Sequence, residues 1–282
     1  MRIITRVKEM QAEILALKAE GRSIGFVPTM GFLHEGHITL LTRAKKENEI
    51  LVLSIFVNPL QFGPGEDLDA YPRDFDRDRA AAENAGVDFI FYPSAEEMYP
   101  KPPSVKVTVQ ERTDVLCGAS RPGHFDGVAT VLTKLFHIIM PDRVYFGLKD
   151  AQQAAVVDGL IKDFHFPVEM VPVPTVREED GLAKSSRNVY LDQGERRQAA
   201  HLYKSLQEAR EAIEKGERNP ETLIEMVRAH LNNHCEAAVD YVSIYSYPDL
   251  KPLRTLTGNV IIALAVKFSK ARLIDNLILE VE

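Results

Sequence analysis

The residues with the clearest chemical potential are two histidines three positions apart. His34 and His37 sit in Val27-Pro28-Thr29-Met30-Gly31-Phe32-Leu33-His34-Glu35-Gly36-His37. Gly31 and Gly36 permit close approach of backbone to a ligand, and His37 falls in the first turn of a helix. Free N–H groups and the positive dipole end at such a start favour phosphate. Imidazoles there add donors aimed at charge that grows on phosphate oxygens in a transition state. A zinc site is a competing use of two histidines, but Glu35 follows His34 directly and the spacing is not that of a zincin helix.

A second cluster, Gly181-Leu182-Ala183-Lys184-Ser185-Ser186-Arg187-Asn188, combines fixed positive charge on Lys184 and Arg187 with hydroxyl donors on Ser185 and Ser186. Alone, such a stretch is an ordinary solvated turn. Paired with the histidines, it supplies the local cationic surface a polyphosphate needs. Need for a local surface follows from the charge balance: 34 basic against 41 acidic residues leave a net charge of −7. That balance gives no footprint for general nucleic-acid binding.

Two further segments follow apolar runs. In Gly147-Leu148-Lys149-Asp150-Ala151-Gln152-Gln153, Asp150 can accept bonds from ribose hydroxyls and Lys149 can approach a phosphate. In Asn58-Pro59-Leu60-Gln61-Phe62, Gln61 carries an amide that both donates and accepts, as does Gln153. Such amides suit a small polyhydroxy or carboxylate substrate.

These segments need a scaffold that brings them to one edge. Strands are expected at 24–27 (ended by Pro28), 50–57, 88–92, 144–146 and 168–173, with helices at 74–84, 128–140 and 152–163. Alternation of this kind predicts an α/β chain, a Rossmann-like doubly wound parallel sheet, with ligands at the carboxyl ends of its strands. The pattern changes near residue 176. A polar loop at 177–188 precedes helices at 193–215 and 220–235, then strands at 240–246, 260–267 and 271–280. The expected division is a Rossmann-like nucleotide- and substrate-binding domain, 1–175, and a smaller C-terminal α+β lid domain, 176–282. A length of 282 residues also gives about two domains at roughly 150 residues each.

Hydrophobic residues at 45% and charged residues at 27% are ordinary for a globular protein. Two cysteines, Cys117 and Cys235, are too few for a disulfide framework and lack metal-ligand spacing. The first six residues have no apolar signal-peptide core, and no apolar run approaches the roughly 20 residues that span a bilayer. A cytoplasmic protein with no membrane partner is expected.

The motifs together resemble the pantothenate synthetases, ATP-dependent ligases of the HIGH-motif nucleotidyltransferase superfamily. His34-Glu35-Gly36-His37 resembles the HIGH signature, and Ala183-Lys184-Ser185-Ser186-Arg187 resembles a variant of the KMSKS loop. Val27-Pro28-Thr29-Met30-Gly31, Ser54-Ile55-Phe56-Val57-Asn58-Pro59 and Gly118-Ala119-Ser120-Arg121-Pro122-Gly123-His124-Phe125 are similar to family signatures. So are Ser185-Ser186-Arg187-Asn188 and, near the end, Ala271-Arg272-Leu273-Ile274-Asp275-Asn276.

The resemblance implies that pantoate and ATP form a pantoyl adenylate with release of pyrophosphate, and that β-alanine then displaces AMP to give pantothenate. It implies an ATP site at Met30, Gly31, His34, Gly36, His37, Gly147, Leu148, Lys149, Asp150, Val176, Lys184, Ser185, Ser186 and Arg187. His37 matches the family's catalytic histidine, and His34, Lys149 and Arg187 complete the expected catalytic set. Gln61 and Gln153 match pantoate-binding positions, and Gln61 also lies where β-alanine enters. Lys184 departs from the apolar residue expected there. Magnesium should accompany ATP, and Asp78, in the acidic run Asp74, Asp76, Asp78, is its candidate protein ligand. A homodimer is implied, with the apolar strand at 50–57 and its neighbours as candidate interface. The loop at 177–188 and the C-terminal domain are candidates for the part that closes over a water-sensitive adenylate.

Two rival functions use the same residues. Another nucleotidyltransferase would transfer a nucleotide to a phosphate with no later amine attack. A nucleotide sensor would bind ATP without turnover, but binding alone does not require donors aimed at the α-phosphate.

Overall fold

The computed structural model describes residues 1–66 and 68–282. Its N-terminal part alternates strands β1 (Arg2–Ile4), β2 (Ile24–Thr29), β3 (Ile50–Ile55), β4 (Phe89–Phe91), β5 (Arg143–Gly147) and β6 (Glu169–Val173) with helices. The helices are α1 (Val7–Ala19), α2 (Glu35–Glu47), α3 (Phe75–Asn84), the short α4 (Ala95–Met98) and α5 (Leu116–Ala119), α6 (His124–Ile139) and α7 (Ala151–Asp163). The six strands form one sheet in the order β1-β4-β3-β2-β5-β6, and every pairing is parallel. Alternating residues explain the layers. Ile24 and Phe26 of β2 and Ile50 and Val52 of β3 pack with residues of α1, α6 and α7. Val27, Leu51, Leu53 and Ile55 point the other way, onto residues of α2 and α3. A sheet covered on both faces requires such apolar strands.

Chain order fixes where a ligand can sit. From β2 the chain moves outward through β3 to β4, and from β5 it moves the opposite way to β6. The switch point therefore lies between β2 and β5, where open α/β sheets bind ligands. Pairing between these strands covers only Gly25↔Arg143 and Phe26↔Val144. Beyond Phe26 they part, which opens a crevice and lets Pro28 occupy an interior strand without breaking a ladder bond to β5. The strand accordingly runs on to Thr29 and is not ended by Pro28.

The C-terminal part holds α8 (Gln193–Glu214) and α9 (Pro220–His234), packed on an antiparallel sheet of β7 (Ala238–Ser246), β8 (Gly258–Lys267) and β9 (Arg272–Val281). Leu202, Leu206, Leu223 and Leu231 of the helices share a core with Val260, Ile262 and Leu264 of β8. A smaller cluster joins the two parts, with Leu116, Ala151 and Ala155 against Ile261 and Ala263. No helix among the described residues is long and apolar enough to cross a membrane.

Three expectations change. All six residues of β3 are buried between β2 and β4, so this strand offers no surface to a second subunit. Its apolar character serves the subunit's own core. Helix α6 begins at His124, ahead of the expected residue 128, because Gly123 and Gly127 mask its first turn in the sequence. Gly127 is set by packing: a Cβ there would lie 2.3 Å from the Leu60 carbonyl oxygen. Finally, β1 and α1 precede the first expected strand.

Candidate active site

The loop from β2 to α2 forms the first wall. Gly31 takes φ +88°, and a Cβ there would press on the Asp78 carboxylate at 2.9 Å. Asp78 accepts hydrogen bonds from the N–H groups of Phe32 and Leu33, both at 2.7 Å. Arg77, its neighbour on α3, donates to the Leu33 carbonyl at 3.2 Å and lies over the Phe32 ring. Asp78 is therefore the clamp of this loop. It is 1% exposed, with each oxygen committed to a backbone donor.

Downstream of that clamp the histidines cap α2 reciprocally. His34, the N-cap, accepts on Nδ1 from the N–H of Gly36 at 3.1 Å. The Nδ1 of His37 accepts from the N–H of His34 at 3.3 Å. This is a capping box built of imidazoles, with ring centroids 4.1 Å apart. Because backbone donors occupy both Nδ1 atoms, each neutral ring carries its proton on Nε2. Burial, reinforced by the Lys149 charge, lowers the His34 pKa to about 4. Burial, then His34 and Lys149, lower that of His37 to about 3. Both rings are thus uncharged N–H donors at neutral pH.

Unfolded histidine titrates near 6.5, so the stability tied to these neutral rings is complete above that pH. It is lost as pH falls toward about 4 for His34 and about 3 for His37. Denaturant unfolding at pH 7 and pH 4.5 should show the native state weakening at the lower pH, and less so in His37→Gln.

The second wall follows β5. Gly147 leads into a 3-10 turn, Leu148–Asp150, and a Cβ on Gly147 would meet nothing within 4 Å. The turn is held from the C-terminal sheet, where Asn276 of β9 donates from Nδ2 to the carbonyls of Leu148 and Lys149, both at 2.9 Å. The third wall is the turn after β3. Asn58 donates to the Gly127 carbonyl and to Gln61 Oε1, and accepts from Tyr99. Buried Gln61 in turn reaches the Met30 sulfur at 3.3 Å. Arg121 and His124 back this turn through its Gln61 carbonyl, and Arg121 is paired with Glu66.

The cationic stretch forms the fourth wall. Arg177 pairs with Ala183 in a β-bridge and donates both terminal nitrogens to Asp275, at 2.7 and 2.9 Å. The Asp275 side chain is 1% exposed, so a buried ion pair roots this segment on β9. Lys184 reaches Glu35 at 3.1 Å, which ties the second cluster to the residue between the two histidines. The departure at position 184 therefore makes a salt bridge across the crevice.

The four walls enclose a cavity of about 260 Å³. Of the expected residues, Met30, His34, Gly36, His37, Gln61, Gly147, Lys149, Asp150, Gln153, Val176, Lys184, Ser185, Ser186 and Arg187 line it. Gly31 and Leu148 shape the backbone behind it. An adjoining cavity of about 450 Å³ reaches toward β8 and β9, past Lys267, Lys270 and Arg272. Arg121, His124, Lys149, Asp150, Gln153, Ser185 and Arg187 border both spaces. Asn58, Arg121, His124, Asp275 and Asn276 join the expected residues as supports of the walls. Arg121 and His124 carried a signal, an Arg-x-x-His pair at a helix start inside a family-like signature.

A family model described as pantoate-beta-alanine ligase matches residues 2–278. The chain belongs to the pantoate–β-alanine ligase family. It is 65% identical over 281 residues to a pantothenate synthetase of Geobacillus sp. strain WCH70, covering 100% of both chains. To a pantothenate synthetase of Bacillus cereus strain B4264 it is 60% identical over 282 residues, again covering 100% of each. The solved pantothenate synthetase of Thermus thermophilus superposes with a TM-score of 0.92 at 47% identity, over 98% of this chain and 99% of that one. A pantoate-beta-alanine ligase of Francisella tularensis, complexed with beta-gamma ATP and β-alanine, superposes at 0.79 with 33% identity, over 98% and 97%.

Membership in the pantoate–β-alanine ligases makes the chain an enzyme that joins a carboxylate to an amine. That chemistry needs an activated acid, a place for the amine, and shelter from water. A polar cleft with neutral donors at one end and fixed cations at the other meets those needs.

Proposed function

We propose that the chain condenses pantoate with β-alanine at the expense of ATP, through a pantoyl adenylate formed in the crevice between β2 and β5. The observation that carries this reading is the pair of neutral imidazoles at the start of α2, facing a cationic segment tied to them by Lys184 and Glu35. In the first step a pantoate carboxylate oxygen attacks the α-phosphorus. The bond from that phosphorus to the β-bridging oxygen breaks, and pyrophosphate leaves. In the second step the unprotonated β-alanine nitrogen attacks the acyl carbon, the carbon–oxygen bond to phosphate breaks, and AMP leaves. The nitrogen then loses a proton to solvent.

Each wall has a part in this scheme. The Nε2–H groups of His34 and His37 donate to phosphate oxygens as charge builds on them, with no proton transferred. Lys149 and Arg187 neutralise the phosphates, Ser185 and Ser186 add hydroxyl donors, and Asp150 accepts from the ribose. Gln61 and Gln153 orient pantoate, and Gln61 also faces the incoming amine. Positioning is the larger share of the catalysis, because no covalent nucleophile is needed. The division of the chain at 175/176 fits a C-terminal part that closes over the adenylate, and contacts from Asn276 to the turn after β5 support such coupling. Free Cys117 and Cys235 suit a reducing, cytoplasmic setting. The proposed assembly is a homodimer, on the family likeness, with its interface outside β3.

Magnesium belongs to the proposal as counter-ion of the triphosphate. With Asp78 committed to backbone and Asp150 given to the ribose, the ion would need no protein carboxylate. Phosphate oxygens and water would form its shell. Asp78→Asn should therefore leave the magnesium dependence of activity unchanged. An amide can accept on only one of its two heavy atoms, so the loop clamp loosens, with stability falling by about 1–3 kcal/mol. A shifted magnesium requirement at unchanged stability would restore Asp78 as a ligand.

The scheme is tested by pantoate-dependent exchange of labelled pyrophosphate into ATP. Exchange without β-alanine is expected. Exchange only when β-alanine is present, or products ADP and phosphate, would refute an adenylate formed in the first step.

A further inference from the structure

Away from both cavities, three imidazoles meet where α9 lies against α8. His230 and His234 stand one helical turn apart on α9, so they share a face, and His201 comes from α8. The Nδ1 of His201 lies 3.0 Å from the Nε2 of His230. The His234 ring stacks on both, with centroids 4.3 Å from His201 and 4.4 Å from His230. One nitrogen from each of the three lies within 4.8 Å of the others.

The remaining nitrogens are already oriented. His230 Nδ1 donates to the Glu208 carboxylate at 2.9 Å, and His234 Nδ1 donates to the His230 carbonyl at 2.8 Å. With its Nδ1 proton on Glu208, His230 accepts at Nε2 from the Nδ1–H of His201, and a metal ion would take the place of that shared proton. A ligating histidine whose far N–H is held by a carboxylate or carbonyl is the usual outer shell of a metal site.

We propose that His201, His230 and His234 bind one divalent transition-metal ion of the zinc class, with Glu208 as the orienting partner of His230. Nitrogen-only donors suit zinc, cobalt, nickel or copper and not magnesium or calcium. Zinc–nitrogen bonds of about 2.0–2.1 Å in a tetrahedron separate ligand atoms by about 3.3 Å, close to the His201–His230 spacing of 3.0 Å. Three protein ligands leave a fourth position for water. The ion would brace α8 against α9 on the sheet of β7–β9 and takes no part in the ligase reaction.

The test is titration of the metal-free full-length chain with cobalt(II) alone, read by its visible absorption, then displacement by zinc(II). One equivalent per chain should bind with the intense bands of a four-coordinate site, and zinc should raise the unfolding temperature. His234 ends α9 and is exposed, so His234→Gln keeps the fold and should weaken binding more than loss of an outer-shell partner does, beyond about 10–100-fold. Glu208→Gln should weaken it by about 10–100-fold, and His137→Gln, on α6, should leave it unchanged. Absence of a saturable single equivalent, or its survival in both His234→Gln and His230→Gln, would overturn the site.

Discussion

Replacing His37 with alanine will slow ATP-dependent activation of pantoate by about 10²–10³-fold, the cost of losing one donor aimed at developing negative charge. ATP affinity will change far less, because the lost N–H interacts most strongly with charge that appears only in the transition state. Single-turnover pyrophosphate release and equilibrium ATP titration separate the two effects. His37→Gln, whose side-chain amide can donate toward the same space, should recover part of the rate. The ring is neutral, its pKa held down at about 3, so the recovered rate should not depend on a group titrating near pH 6.5. Equal losses in rate and affinity would instead describe a binding site without chemistry.

The second large effect lies outside the cavity. Asp275→Ala will destabilise the chain by about 3–5 kcal/mol, the usual result of leaving a buried partner charge uncompensated. Asp275 holds Arg177 through two hydrogen bonds and accepts from the N–H of Asn276, whose side chain holds the turn at 148–150. One carboxylate therefore roots both cationic walls. ATP binding should weaken beyond what the stability loss explains, because Lys184 and Lys149 lose their common support. A double replacement, Arg177→Met with Asp275→Leu, should recover stability without recovering ATP affinity. A loss below about 1 kcal/mol in Asp275→Ala would show that the pair is not the anchor.

Much of the site was readable because its chemistry is local in sequence. The two histidines, two glycines and preceding strand lie within Val27 to His37, so helix-start physics applies without tertiary knowledge. The wall at Lys149 is readable because it follows a recognisable apolar strand, and the wall at Lys184 because it gathers fixed charge and hydroxyls in one short stretch. What stayed hidden depends on distant partners. Asp78 looks like any acid on a charged helix until its bonds to Phe32 and Leu33 are seen. Apolar β3 looks equally suited to an interface and to an interior strand, and only its position between β2 and β4 decides. Gly127 conceals the start of α6, because its role is close passage of the Leu60 carbonyl. Asp275 and Asn276 fall in a family-like stretch, but they act through residues about 100 positions away or more, so their partners are not legible locally.

The most direct test follows the oxygen atoms. With pantoate labelled by ¹⁸O in its carboxylate, direct attack on the α-phosphorus transfers one labelled oxygen to AMP for each amide bond formed. Label recovered in inorganic phosphate or pyrophosphate, or AMP carrying none, would contradict activation of pantoate as its adenylate.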